Sequence, residues 1–166
     1  MPVLELQTTV NAPIERVFDL ARSIDLHTVS MAGQRERAIA GITSGLIGLD
    51  ESVTWQARQF GIPVRLSSRI TGFERPRYFR DDMVSGPFTR LAHHHYFESR
   101  GAATLMRDVF DYQSPLGPLG NLADRLFLAA HLTRLLASRN AVVKAVAESA
   151  EWSKYLATPN ASKVQQ

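Results

Sequence analysis

Alternating apolar and polar positions run through most of the chain and predict a sheet of antiparallel strands. The first alternating segment is VLELQTTV, from Val3 to Val10. Five more follow after residue 50: ESVTWQARQF, IPVRLSSRITGF, PRYFRDDMV, TRLAHHHYFES and ATLMRDVFDYQ. Successive side chains of a strand point to opposite faces, so this pattern indicates strands with one buried and one solvated face. The links SGP and RG contain typical turn residues, which favours a meander.

Helical periodicity appears in two other parts of the chain. In NAPIERVFDLAR, Asn11 is a candidate N-cap and Pro13 lies in the first turn of a short amphipathic helix. The next segment, SIDLHTVSM, is compatible with a second short helix or a loop. From Asn121 to about Tyr155, apolar residues recur at helical spacing and predict one long helix. Asn121 and Asp124 resemble a capping box, and the pattern is compatible with a bend near Ser138–Asn140.

The order of these elements predicts an α+β fold in which a curved antiparallel sheet wraps around a long C-terminal helix. An internal cavity is expected where the sheet curves away from the helix. Glycines at positions 41, 45 and 48 interrupt an apolar run, which we interpret as flexible or tightly bent backbone. A partial lid near Gly41–Gly48 is a hypothesis that these glycines motivate. We expect one domain over residues 1–157 and a loose C-terminal tail over 158–166.

Composition and charge exclude several classes of function. The 19 Lys and Arg residues against 16 Asp and Glu give a net charge of only +3, and the arginines form no stripe with interleaved aromatic residues. We therefore expect no nucleic-acid partner. The lack of cysteine excludes disulfides and thiolate metal sites. With no signal-peptide pattern and no apolar run near ~20 residues, we expect a cytoplasmic protein without stable membrane insertion. A homodimer is compatible with the pattern.

Three of the five histidines stand together in LAHHHYF, from Leu91 to Phe97. Strand alternation places His93 and His95 on the inward apolar face, whereas His94 points the opposite way. On the next strand, the apolar face carries a single charged residue, Asp108. Two histidines and one carboxylate are therefore expected to face the interior on neighbouring strands.

The register of these strands predicts which polar residues meet. If Arg100–Gly101 forms a two-residue turn, His93 lies opposite Asp108. The preceding strand then brings Asp81 opposite His93 or its neighbour on the same face. Because opposite residues have Cβ atoms about 4.5–5.5 Å apart, we predict an inward row of Asp81, His93 and Asp108, with His95 beside it.

Three interpretations of this polar row stay open. It is a hydrogen-bonded network that fixes the register, a group that orients a ligand, or an acid–base site with His93, His95 and Asp108 as candidate catalytic residues. A metal could use His93 and His95 with Asp108 or Asp81. Histidines on adjacent strand positions are common without metal, so we expect no metal and no cofactor.

The candidate ligand-binding residues share the inner face of the sheet or the inner side of the long helix. They are Trp55, Phe79, Asp81, Met83, His93, His95, Met106, Asp108, Phe110, Tyr112, Leu126, Phe127 and Ala130. For the aromatic residues and methionines, ordinary core packing is the simpler alternative. His27 and His131 belong to no recognisable constellation and are interpreted as helix-surface or boundary residues.

The element order resembles the helix-grip fold of the START/SRPBCC superfamily, which includes Bet v 1-like proteins and polyketide cyclases. VTWQARQFG, ERPRYFRDDMVSGPF, HHHYF, TLMRDVFDY and PLGPLG are similar to a bacterial SRPBCC branch sometimes labelled cell-division-inhibitor-like. That branch typically has an aromatic residue at Leu91 and often a histidine at Gln59, which indicates a variable pocket wall. The resemblance implies a cavity for lipids, sterols, polyketides or plant hormones, with or without catalysis.

Together, the pattern and the resemblance favour a binding or carrier protein for one small hydrophobic or amphipathic ligand, lipid-like or polyketide-like. One alternative is a cyclase- or hydrolase-type enzyme that uses an inward His/Asp pair. Another is a protein-interaction module with a vestigial cavity. A filled interior would favour the interaction module, and an open cavity with an unsatisfied His/Asp pair would favour the enzyme. An open cavity with all polar groups paired would favour the carrier.

Overall fold

The computed structural model describes residues 2–115, 117 and 127–156. The strands are β1 (Val3–Val10), β2 (Arg37–Gly41), β3 (Ser52–Gln59), β4 (Ile62–Glu74), β5 (Tyr78–Ser85), β6 (Arg90–Arg100) and β7 (Ala103–Gln113). The helices are α1 (Ile14–Ala21), α2 (Ile24–Ser30), the 3₁₀ turn η1 (Ala32–Gln34), α3 (Ala129–Ala147) and α4 (Trp152–Leu156).

The seven strands form one antiparallel sheet in the order β1-β7-β6-β5-β4-β3-β2. From β2 to β7, each strand pairs with the next strand along the chain, and β1 pairs with β7 at the other edge of the sheet. Register shifts interrupt the β2–β3 and β4–β5 ladders. Such irregularities increase the local twist and bend of a sheet. The curved sheet around a long helix confirms the predicted α+β architecture.

The structure adds three details to the predicted helices. Pro13, not Asn11, occupies the N-cap of α1, while the backbone N–H of Asn11 donates to Glu148 at 2.7 Å. The segment SIDLHTVSM, compatible with a helix or a loop, forms α2. Ser23 Oγ caps this helix by accepting a hydrogen bond from the backbone N–H of Leu26. The long C-terminal helix α3 is uninterrupted across Ser138–Asn140, the position compatible with a bend, and the helical run breaks at residues 148–151.

Two sequence predictions lie outside the described residues. The capping box of Asn121 and Asp124 is one, and the tail over residues 158–166 is the other. The domain boundary at residue 157 stays a prediction for the same reason.

The glycine-interrupted segment contains a strand that the sequence pattern does not predict. β2 is largely exposed, so it lacks the apolar alternation that marks the other strands. A side chain at Gly41 would clash with the carbonyl oxygen of Ser52, so the close approach of β2 to β3 requires glycine there. Beyond β2, Gly45 accepts from the backbone N–H of Ile24 and donates to Asp25. These bonds tie the segment to α2, and the partial lid near Gly41–Gly48 stays a prediction.

The β6–β7 register differs from the predicted one by two residues. The turn lies at residues 101–102 rather than 100–101, and His95 consequently faces Asp108 across the ladder. Because the shift is an even number of residues, every side chain keeps its predicted face. His93 instead lies opposite Asp81 on β5, one of the two partners expected for that carboxylate.

Phe18 on α1 fills one end of the space between the sheet and α3. Its ring is fully buried and meets Phe73, Phe79 and Phe97 edge-on, with centroids 5.2–5.5 Å apart. Val143 and Ala147 of α3 are buried in the same apolar cluster. The interior is therefore packed solid near α1 and stays open farther along α3.

Candidate functional site

A cavity of about 510 Å³ lies between the curved sheet and α3. Apolar residues of β3 and β4 form one wall, including Val53, Trp55 and Leu66, and α3 forms the opposite wall through Leu132 and Leu136. An open interior of this size disfavours the interpretation of a vestigial cavity.

Seven of the predicted ligand-binding residues line this cavity. They are Trp55, Phe79, Asp81, His93, His95, Phe110 and Phe127. The first six are strand residues and lie on the inner face that strand alternation predicts, whereas Phe127 belongs to the predicted long helix. Contact with a ligand stays a prediction for each of them.

Other predicted ligand-binding residues lie elsewhere. Met106 and Tyr112 are fully buried within apolar clusters and are separated from the cavity by their neighbours. Met83 is half-buried and packs against the cluster of Tyr112. Asp108 is also fully buried, behind the histidines rather than at the cavity wall.

The helix face explains the position of Ala130. Leu128 at the N-cap of α3, followed by Leu132 and Leu136 within it, faces inward at intervals of four residues, so Ala130 falls on the exposed side. Leu126, the remaining predicted residue, lies outside the described residues.

The predicted polar residues do meet, as a cluster of two carboxylates and two imidazoles that we call the His/Asp cluster: Asp81, His93, His95 and Asp108. His93 Nε2–H donates to Asp108 Oδ1 at 3.1 Å, and His95 Nε2–H donates to Asp81 Oδ2 at 3.1 Å. The two imidazole rings lie against each other with centroids 3.8 Å apart. Both hydrogen bonds run diagonally across the strand ladders.

Asp108 is the hub of this cluster. Its Oδ2 accepts a 2.6 Å hydrogen bond from Asn140 Nδ2, and its Oδ1 lies 3.7 Å from the Arg139 guanidinium. His95 Nδ1 is 2.8 Å from the same Oδ1, but the two atoms are not aligned for a hydrogen bond, and Nδ1 has no hydrogen-bond partner among the described residues. His95 Nδ1 is thus a buried ring nitrogen of the cluster without a hydrogen bond.

The surroundings set the charges of the cluster. Burial alone would raise the pKa of Asp108, but the contacts with His93 and His95 hold that pKa well below its usual range. Asp81 behaves similarly: burial opposes ionisation, and the hydrogen bond from His95 with the nearby His93 and Arg139 lowers its pKa overall. Burial and the adjacent His95 lower the pKa of His93 to about 4, against the opposing effect of Asp108. Near pH 7 both carboxylates are ionised and His93 is neutral.

Sequence reasoning missed Arg139 and Asn140, which connect α3 to the cluster. Arg139 is buried and also donates to the backbone carbonyl of Ala21 at 2.8 Å. Both residues continue the inward stripe of α3, because they follow Leu136 by three and four positions and precede Val143 by four and three. This helical spacing could have identified both residues as inward-facing from the sequence. It is not obvious there because the two residues are polar and the rest of the stripe is apolar.

His27 and His131 also line the cavity, each with a partner that the sequence does not reveal. His27 donates to Glu36 at 2.6 Å, and its ring centroid lies 4.3 Å from that of Trp55. His131 donates to Gln59 Oε1 at 2.8 Å. Both histidines are half-buried at the boundary between cavity and surface, one of the two positions interpreted from the sequence.

Three exposed apolar side chains, Phe60, Ile62 and Phe127, surround one end of the cavity, and we call them the apolar rim. The rings of Phe60 and Phe127 meet edge-on with centroids 5.7 Å apart. Phe60 and Gly61 form the two-residue β3–β4 turn with φ angles of 51° and 79°. The rim therefore joins the tip of a hairpin to the start of the described part of the C-terminal helical region.

Comparison with solved structures identifies the fold. A protein from Thermus thermophilus is 20% identical, with a TM-score of 0.67 over 87% of this chain and 99% of that chain. The Zhui aromatase/cyclase from Streptomyces sp. R1128 is 15% identical, with a TM-score of 0.67 over 89% and 93%. A START superfamily protein from Mycobacterium smegmatis is 12% identical, with a TM-score of 0.65 over 88% and 97%. The chain thus has the helix-grip fold of the START and Bet v 1-like proteins.

Identities this low extend the likeness to the fold alone. No protein-family model matches the sequence, and neither does any curated protein. Within the described ranges, none of the helices combines the length and the apolar character that a membrane crossing requires.

Proposed function

We propose that the protein binds one small hydrophobic or amphipathic ligand in the cavity between the sheet and α3. The cavity itself carries this proposal. Its volume of about 510 Å³ falls within the range of about 300–1,000 Å³ that is typical of small-molecule sites. Its walls are largely apolar, with a few polar groups concentrated in the His/Asp cluster, which is the usual division between affinity and orientation.

The arrangement of the walls supports an amphipathic ligand. Asp81, His93 and His95 offer hydrogen bonds to a polar head group, while Trp55 and the leucines of α3 surround an apolar body. A lipid-like or polyketide-like molecule has this character. A cytoplasmic location, the absence of a nucleic-acid partner and a homodimer remain predictions of the sequence.

Native mass spectrometry tests the proposal on untagged protein purified without added ligand, followed by denaturing extraction. We expect one small molecule per chain. Leu132→Trp should fill the cavity and abolish retention, whereas Thr133→Trp adds the same side chain to the exposed face of α3 and should leave retention intact.

Two results would contradict ligand binding. One is the lack of a retained molecule together with no thermal shift against fatty acids, sterols and aromatic polyketides. The other is equal retention by wild type and Leu132→Trp.

Acid–base catalysis is the second candidate function, since the unpaired His95 Nδ1 is a specific observation in its favour. The pKa of about 4 at His93 argues against that residue as an efficient general base, because the best bases titrate near the working pH. The low pKa of His93 therefore favours ligand orientation over catalysis by this residue.

A further inference from the structure

We propose that Asp81, His93 and His95 bind one divalent transition-metal ion at the cavity wall, with Asp108 as a carboxylate that orients both imidazoles from behind. This site goes beyond hydrophobic-ligand binding and does not depend on it. It also revises the expectation of no metal that was drawn from strand spacing alone.

The three ligand atoms are already close to coordination distance from one another. One atom from each of Asp81, His93 and His95 lies within 4.8 Å of the others. Asp81 Oδ2 is 3.1 Å from His95 Nε2 and 4.0 Å from His93 Nδ1. Metal–ligand bonds of about 2.0–2.2 Å place neighbouring ligand atoms roughly 3.0–3.5 Å apart. Closure around an ion therefore requires movements of about 1 Å or less.

The tautomer of His93 suits this role. Its Nε2–H donates to Asp108, which leaves the Nδ1 lone pair on the side of Asp81. Metal-binding histidines almost always donate their other ring N–H to a carboxylate, a carbonyl or water. His93 is thus held in the orientation and tautomer that a metal ligand requires.

His95 supplies the second, independent observation. It is 2% exposed, and its Nδ1 lies 2.8 Å from Asp108 Oδ1 without a hydrogen bond. With the proton on Nε2, Nδ1 presents a lone pair to a carboxylate, which is an unfavourable contact. A metal ion on Nε2 would displace the proton to Nδ1, and reorientation of the ring would turn the contact into a hydrogen bond to Asp108.

The donor set defines the class of metal. Two imidazoles and one carboxylate with open positions suit Zn²⁺, Fe²⁺, Co²⁺ and similar first-row ions rather than Mg²⁺ or Ca²⁺. The cluster contains two carboxylates and lies beside one guanidinium, that of Arg139. This balance of charges favours a bound cation. The open positions would face the cavity, because all three ligating residues line it.

The test uses tag-free protein stripped with a chelator and no hydrophobic ligand. Zn²⁺ titration by calorimetry and Co²⁺ titration by visible absorption should each show one ion per chain. Asp81→Asn and His95→Gln should weaken the affinity at least tenfold. Asp108→Asn should weaken it by about 10- to 100-fold, the scale for a residue that orients ligands.

His94→Gln is the matched control, since His94 belongs to the same triplet but lies on the opposite face of β6, beside Tyr78. Its metal affinity should equal that of wild type. Far-UV circular dichroism and thermal melts check folding, and ¹⁵N NMR of wild-type histidines gives an answer without any variant. Zn²⁺ should shift His93 Nδ1 and His95 Nε2.

Three results would overturn the metal site: no stoichiometric binding, equal losses in His94→Gln and His95→Gln, or unchanged imidazole nitrogens on Zn²⁺ addition. If His95 instead serves as a cation between two carboxylates, the first and third results are expected. Retention of a hydrophobic molecule is measured separately, so failure of one proposal leaves the other standing.

Discussion

Phe60 combines two properties that are rarely found together in an aromatic residue, high exposure and a positive φ angle. It is 61% exposed, and it adopts a φ of 51° at the first position of a two-residue hairpin turn. Asn or Gly normally occupies such a position, because a bulky side chain in the left-handed region is strained. Strain of this kind clusters at ligand clamps, and Phe60 stands in the apolar rim of the cavity. We infer that its ring is retained for contact with a ligand rather than for stability.

Replacement of Phe60 by Asn should separate these two roles. We expect the free energy of unfolding to rise by about 1 kcal/mol because the turn strain is relieved. Retention of the bound molecule should fall, because the rim loses its central ring. Urea denaturation and native mass spectrometry provide the two readouts. Val84→Thr replaces a similarly exposed apolar side chain outside the turn, keeps a β-branched residue in β5, and should change neither. A loss of stability in Phe60→Asn would contradict the strain argument.

At the scale of elements, alternation predicted strands far better than it predicted their pairing. The inner faces of β3, β6 and β7 were correct because burial imposes a period of two residues. The β6–β7 register was two residues off, since an even shift leaves every face unchanged and the pattern cannot detect it. β2 was missed because an exposed edge strand needs no apolar alternation. The His/Asp cluster was therefore predicted as a group, while its pairings and its α3 partners required the structure.

An ion-pair network ties α1 to the β4–β5 turn and should make stability depend on pH. Asp19 on α1 contacts Arg75 at 2.7 Å and Arg22 at 2.8 Å. Burial alone raises the pKa of Asp19, but the hydrogen bonds from Arg75 and Arg22 lower it overall. Because the folded-state pKa lies below the unfolded value of about 3.9, the stabilisation is complete above that value. It is lost as pH falls through the folded-state pKa.

Asp19→Asn should accordingly melt at a lower temperature than wild type at pH 7. The difference between the two melting temperatures should narrow as the pH is lowered from 5 towards 2. Thermal melts followed by circular dichroism across this range provide the measurement. A difference that stays constant with pH would show that the charge of Asp19 is not its source.

For the whole molecule, filling the cavity should reduce the motion of the apolar rim more than that of the middle of β7. The rim joins the β3–β4 turn to the α3 region through exposed side chains, whereas the middle of β7 is already buried on its inner face. Ligand contacts would reduce opening mainly at the rim. We expect the molecule recovered by extraction to slow amide exchange in residues 59–62 and 127–135. Hydrogen exchange with mass spectrometry checks this, and protection confined to β7 would contradict it.

The central position of Asp108 has an evolutionary consequence. Its carboxylate contacts His93, His95, Asn140 and Arg139, so side chains from β6 and α3 depend on one residue of β7. A lineage that lost Asp108 alone would deprive the donors His93 Nε2–H and Asn140 Nδ2–H of their acceptor, at about 1–3 kcal/mol for each. We therefore expect divergence at these positions to proceed through coupled substitutions. The cluster would persist or disappear as a unit, while the apolar walls around it drift one residue at a time.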